Sequence, residues 1–335
     1  MGHIVCFGEL LLRLTAPGRE LLLQNGRFDV HVGGAEANVA VGLARLGHET
    51  AMVSRVPHNA LGDAAVGHLR RYGVGVDGVP RGEGRMGLYF LSAGAGLRPS
   101  EILYDREGSS FALAGKSDFD WDRLLDGASL LHMSGITPAL GARSAEAALA
   151  SARAARSRGI KISFDGNYRG QLWQRWNPNP KAILCELVTE ADILFGNHRD
   201  IALLLGREFR GDGEGRRREA AQAAFDTFPN VQMIASTARH VDDADRHRIA
   251  ARIDTHEGGF QTEEVPIAGI VDRIGSGDAF AAGVLHGILN GQDDERTARY
   301  GLALACLKHS LPGDASLFTQ ADIEAFLSGE LDVRR

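Results

Sequence analysis

Cysteine is scarce in this chain: Cys6, Cys185 and Cys306 are the only three in 335 residues, far apart and never in a Cys-x-x-Cys spacing. Neither a disulfide framework nor a zinc site of paired thiols is indicated, and a reducing cytoplasm is the expected compartment. Long apolar runs are missing as well. No stretch approaches the roughly 20 residues of a membrane span, and the chain enters the short apolar run Ile4 to Phe7 without a basic leader or small-residue cleavage site, so neither export nor a membrane is expected. Positive charge is not in excess either. Against 37 Lys and Arg stand 43 Asp and Glu, a net charge of -6, whereas a nucleic-acid binder carries a basic stripe. The cluster Arg216, Arg217, Arg218 is read as a solvated helix start.

Familiar catalytic signatures are also lacking. There is no GxxxxGK[ST] phosphate loop, no HExxH, no GxSxG, and the twelve histidines have no metal-ligand spacing. Gly82-x-Gly84-x-x-Gly87 fits the dinucleotide fingerprint by letter only. It follows the polar Pro80-Arg81 turn and leads into a strand, where that motif requires a helix.

Hydrophobic residues make up 44% of the chain, enough for a sizeable core, and 42 glycines exceed the ~7% of an average chain. Tight turns and close backbone approaches follow. Short apolar runs at Ile4 to Phe7, Thr50 to Val53, Leu130 to Met133, Ile160 to Phe164, Ile193 to Phe195 and Val231 to Ala235 read as buried strands. Helical periodicity fills the gaps at Ala35 to Leu46, Leu61 to Tyr72, Ala145 to Ser157, Lys181 to Val188, Arg199 to Leu205 and Arg216 to Phe225. Such alternation predicts an α/β core with a mostly parallel sheet covered on both faces. Residues 10–32 and 86–107 break the rhythm. Met86 to Ser92 and Glu101 to Asp105 read as a hairpin, and both regions are placed in a small β-sheet lid inserted into the core. A further β-rich patch, Arg248 to Asp254 and Gly259 to Val265, precedes helices at Gly277 to Leu289, Glu295 to His309 and Gln320 to Leu327. No linker divides residues 1–335, so one cooperative unit with a lid is expected.

The segment Ile270-Val271-Asp272-Arg273-Ile274-Gly275-Ser276-Gly277-Asp278 opens a helix with two glycines. Unpaired amides and the helix dipole at such a turn favour an anion. Asp278 then stands where a carboxylate could take a proton from a hydroxyl attacking a phosphate held there. A plain glycine turn with Asp278 as a first-turn carboxylate is the structural alternative. A second turn, Gly33-Gly34-Ala35-Glu36-Ala37-Asn38, also opens a helix near the other end of the chain. Two such turns suit a two-substrate site.

These motifs resemble those of the ribokinase-like (PfkB) carbohydrate kinases, over essentially the whole chain. That family has an N-terminal Gly-Gly motif with a nearby Asn and a C-terminal Asp-Thr-x-Gly-Ala-Gly-Asp, which Asp272 to Asp278 matches except at Arg273 and Ser276. Val271-Asp272-Arg273 is the form usual in the 2-keto-3-deoxygluconate kinase subgroup. Gly87-Leu88-Tyr89-Phe90, Arg98-Pro99-Ser100 leading to Tyr104-Asp105-Arg106, His132 to Thr137, and Asp165-Gly166-Asn167-Tyr168-Arg169 resemble the same subgroup.

The resemblance implies a ribokinase-like three-layer core with a lid, and phosphorylation of a sugar acid by MgATP. Gly33, Gly34, Asn38, Tyr89, Tyr104, Arg106 and Arg169 would surround the substrate. Asp278 would be the base, and the amides of Ile274 to Gly277, with Ser276 among them, would stabilise the transferred phosphoryl group. Asn167, Asn197, Ser236, Thr237, Arg239, Gly275, Gly277, His309 and Gly313 would meet the nucleotide, the loop Lys308 to Asp314 on its adenine side. Asn197 and Asp200 would reach magnesium through water, with no direct protein ligand. A homo-oligomer is implied, and a monovalent cation is left open. Arginines and phenols suit a carboxylate-bearing substrate. Two alternatives stay open: a neutral sugar such as fructose or ribose, and a non-catalytic sugar-binding or regulatory protein on this scaffold.

Overall fold

A computed structural model describes residues 2–210 and 213–329. The main sheet has ten strands, nine of them in the order Gly259–Gln261, Arg246–Thr255, Met233–Asp243, Ile193–Phe195, Lys161–Asp165, Ala128–Ser134, His3–Phe7, Thr50–Val53 and Gly75–Gly78. From Met233–Asp243 to Gly75–Gly78 every pairing is parallel. Arg246–Thr255 turns back antiparallel and carries Val265–Ala268 on its other edge beside Gly259–Gln261.

Period-2 alternation sends the side chains of each central strand to two separate cores. Ile4 and Cys6 enter one, while Val5 and Phe7 enter the other. The first core is closed by helices Ala35–Arg45, Ala60–Arg71, Ser276–Leu289 and Asp294–Lys308, and the second by Ala142–Ser157, Lys181–Glu190, His198–Leu205 and Gly213–Thr227. The three-layer α/β arrangement expected from the alternation is what the chain adopts.

A separate four-stranded sheet, in the order Asp29–Gly33, Leu11–Thr15, Gly87–Ser92, Glu101–Asp105, comes from the two segments that broke the rhythm. Its last two strands form the expected hairpin, with Tyr89 opposite Tyr104. One strand ran longer than its apolar signal. Met233–Asp243 extends eight residues past Ala235 because its polar half is held by antiparallel pairing to Arg246–Thr255, which a reading by local hydrophobicity misses. Among the described residues no helix is long and apolar enough to cross a membrane.

Candidate active site

In open parallel sheets the loops beyond the strand carboxyl ends make the ligand crevice. Here Asp165 ends one strand, Asn197 follows Ile193–Phe195 by two residues, and Thr237 and Arg239 lie where Met233–Asp243 has outrun its parallel neighbour. These ends form the floor of a cleft of about 930 Å³, roofed by Tyr89, Tyr104 and Arg106 of the small sheet and walled by the first turns of two helices.

The first of those helices is Ser276–Leu289. Its entry residue Gly275 has φ +78°, and a Cβ there would stand 1.7 Å from the Asp314 carbonyl oxygen, so only glycine fits. Asp272 shapes the turn from within: Oδ1 accepts from the Ile274 amide at 2.9 Å, and Oδ2 from the Gly313 amide at 3.0 Å and Arg13 Nη2 at 2.6 Å. The Ser276 amide donates to the Arg273 carbonyl at 3.3 Å. Ile274 and Ser276, expected to contribute to the anion cradle, therefore spend their amides inside the turn. Among the described residues the amides of Gly275, Gly277 and Asp278 are left without partners, and all three residues line the cleft.

The second helix, Ala35–Arg45, is entered through Gly34 at φ +142°, whose missing Cβ makes room for the Glu9 carbonyl. One turn in, Asn38 Nδ2 donates to Asp278 Oδ2 at 2.6 Å, joining residues 240 apart in sequence. Burial pushes the Asp278 carboxyl up to about 8; the Asn38 bond pulls down, and Asp165, Asp314 and Glu36 push further up. Asp165, on the same floor, is raised to about 7 by burial and then by Asp200.

The cleft brings together Gly34, Asn38, Tyr89, Tyr104, Arg106, Asn167, Arg169, Asn197, Thr237, Arg239, Gly275, Ser276, Gly277 and Asp278. Several of these already hold a partner. Arg106 is buried against Glu9, and the Tyr89 hydroxyl donates to Asp314 Oδ2 at 2.6 Å. Asn167 adopts φ +35°, a conformation Asn tolerates better than most residues.

Gly33, Ser236, His309, Gly313 and Asp200 do not line the cleft. A Cβ on Gly33 would run into Asp314 Oδ2 at 2.2 Å. His309 is buried, its Nδ1 donating to the Ala305 carbonyl at 2.7 Å, and Gly313 gives its amide to Asp272. Asp200 accepts from the Asn197 amide at 2.8 Å, while Asn197 Oδ1 accepts from the Arg199 amide at 2.8 Å: together they cap the helix His198–Leu205.

Other residues were missed from sequence. Arg216 and Arg217, read as solvated, line the cleft with Arg199 and Arg273, because the face that a helix turns inward is set by its packing. Asp165 carried a signal, a carboxylate ending a buried strand. Arg13 carried none: it is buried in the small sheet, paired with Asp272 at 2.6 Å and Asp314 at 3.0 Å.

An anion cradle, a raised carboxyl beside it and a second glycine turn across a cleft broad enough for two ligands define a phosphoryl-transfer enzyme with two substrates. The chain belongs to the pfkB family of carbohydrate kinases, whose pattern matches residues 1–320. Kinases of this family use ATP. A 2-dehydro-3-deoxygalactonokinase of Haloferax volcanii is 32% identical over 328 residues, 98% of this chain and 97% of that protein. A 2-dehydro-3-deoxygluconokinase of Bacillus subtilis is 29% identical, covering 99% of this chain and 97% of its own length. The crystal structure of a 2-dehydro-3-deoxygluconokinase from Thermotoga maritima matches with a TM-score of 0.93 and 36% identity, over 98% of this chain and all of that one.

The raised carboxyl predicts a pH dependence. For a mechanism in which Asp278 acts as the base it must be ionised, and kcat/KM should then climb with pH through about 8, well above the ordinary carboxylate value of 3.8. Stability of the unliganded protein should move the other way. Between those two values the folded state keeps a proton that the unfolded chain has released, so stability falls as pH rises across the window. Initial rates and melting temperatures on either side of it check both signs.

Proposed function

We propose that this protein transfers the γ-phosphoryl group of MgATP to the primary hydroxyl of a 2-keto-3-deoxy sugar acid, giving the 6-phosphate. The observation that carries the reading is the contact between Asn38 and Asp278 beside the three unpartnered amides. The core and the small sheet are taken to work as one unit, the sheet limiting water at the transferred group.

Asp278 accepts the hydroxyl proton as the hydroxyl oxygen attacks phosphorus, and the bond from phosphorus to the bridging oxygen breaks to release ADP. The amides of Gly275, Gly277 and Asp278 lie where charge grows on the moving group. Magnesium carried by the nucleotide would supply neutralisation of phosphate charge, with Asn197 of the cleft the residue that would reach it through water. Arg239 and Arg273 line the nucleotide end of the cleft, where they make no ion pair among the described residues and suit the polyphosphate. Asn197 and Thr237, which also line the cleft, are assigned to the nucleotide with them.

At the sugar end Arg106 is committed to Glu9 and the Tyr89 hydroxyl to Asp314, whereas Arg169 spends only Nη1, on the Tyr168 carbonyl at 3.1 Å, and among the described residues makes no ion pair, so Arg169 with Tyr104 is the pair assigned to a substrate carboxylate. Loss of a charged hydrogen bond is worth about 1.5–3 kcal/mol, or roughly 10- to 150-fold. Arg169→Ala should therefore raise KM for the acid by that factor and leave kcat nearly unchanged. An ADP-release assay over 2-keto-3-deoxygluconate, its C4 epimer, gluconate, fructose and ribose tests both points. Preference for a neutral sugar, or an Arg169→Ala enzyme with unaltered KM for the acid, would overturn the carboxylate reading.

The three free cysteines suit a reducing cytoplasm, where the nucleotide is available. Exposed Val30 and Leu103 on the small sheet suit contact with a second copy in a homo-oligomer.

A further inference from the structure

Lys308 is the last residue of the helix Asp294–Lys308, where a lysine ordinarily reaches into water. Here it is wholly buried, at 0% exposure. Its Nζ donates to the Leu311 carbonyl at 2.9 Å, across the loop that begins at the helix end, and among the described residues it forms no ion pair at contact distance. A buried ammonium is costly unless nearby charge compensates it. Burial, the largest influence, holds the Lys308 ammonium below the ordinary lysine value, and Arg13 acts the same way; Asp272, Asp314 and Asp278 favour its charge through space.

The surroundings explain why a cation would be kept there. Asp272 ties the Ile274 amide to the Gly313 amide, and the Asp314 carbonyl oxygen abuts Gly275. The amides of Val271 and Asp272 both turn to the His309 carbonyl, at 2.9 and 3.3 Å. The loop after Lys308 and the turn before Ser276–Leu289 are thus one assembly, with the buried Asp314 and the partly buried Asp272 carboxylates at its centre. Arg13 pairs with both of them but supplies one positive charge. Lys308 is the second.

We propose that the Lys308 ammonium is the built-in monovalent cation of the anion cradle, a positioning residue that holds its two loops in register and frees turnover from any added potassium or ammonium ion. The proposal rests on the kinase reading and needs no particular sugar. Lys308 does not line the cleft, so its effect passes through the shape of the turn that carries the amides of Gly275, Gly277 and Asp278.

The test compares wild type, Lys308→Met and Lys308→Arg at constant ionic strength in choline, potassium and ammonium chlorides. Wild-type kcat should be the same in all three salts. In choline, Lys308→Met should lose about 10²-fold in kcat, the scale of a lost electrostatic stabiliser, with KM for sugar changing much less. Potassium or ammonium should return most of the loss, and Lys308→Arg should retain part of the activity in choline. A wild-type enzyme that needs potassium, a Lys308→Met enzyme at full speed in choline, or a loss that no cation repairs would each overturn the proposal. Calorimetric MgADP binding in the same salts gives the comparison without turnover: wild-type affinity indifferent to the cation supports the proposal, and potassium-dependent wild-type affinity overturns it. If Lys308→Met does not fold, the two wild-type comparisons still decide. A wild-type protein that binds MgADP but phosphorylates none of the sugars tested would count against the substrate assignment alone.

Discussion

Asp278→Asn should lower kcat by about 10²- to 10⁴-fold, the range lost when a positioned base is removed, with no loss of folded structure. Asn is nearly isosteric with Asp, and its side-chain oxygen can still accept from Asn38 Nδ2, so the contact between the two glycine-led helices survives. The substitution also removes a carboxyl that burial holds at about 8. At alkaline pH the unliganded variant should accordingly melt no lower than wild type, and a small rise is expected. Steady-state ADP release paired with thermal melting separates the two effects. Near-normal turnover from a folded Asp278→Asn protein would reduce Asp278 to a first-turn carboxylate that merely complements its helix dipole.

The largest stability change is expected at Arg13→Met. Methionine retains much of the apolar volume, but Asp272 and Asp314 lose the guanidinium that contacts both. Removing one partner of a buried ion pair costs about 3–5 kcal/mol, and here two carboxylates are left behind. Urea unfolding should show that loss, and neutralising one carboxylate in Arg13→Met/Asp314→Asn should recover part of it, since the two sites are in contact. A single-variant loss of under about 1 kcal/mol, as for an exposed pair, would mean that the network is not what couples the small sheet to the anion turn.

The contrast between these two residues also marks how far the sequence could be read. Asp278 sits in a motif whose glycines, carboxylate and following helix are contiguous, so local chemistry pointed to it as the candidate base. Asn38 follows its own glycine turn at a similar distance. Thr50–Val53 and Ile193–Phe195 were legible to the residue because each is a short apolar run enclosed on both faces. Arg13, by contrast, interrupts the apolar strand Leu11–Thr15, and its partner Asp272 lies 259 residues away. No window of local sequence contains both. Arg216 and Arg217 failed for a related reason: periodicity finds a helix there, but the cleft they face is completed by residues such as Thr237 and Arg273 from later in the chain.

By itself, then, the sequence determined the alternating α/β core, the small sheet, the two glycine-led turns and the carboxylate between them, all of which depend on short-range pattern and backbone stereochemistry. Tertiary structure alone decided which groups remain free. It turned the Ile274 and Ser276 amides inward, committed Arg106 to Glu9 and Tyr89 to Asp314, raised Asp278 by burial, and enclosed Lys308 beneath the anion turn. Those outcomes arise from desolvation and from contacts between distant segments, which exist only once the chain has closed on itself.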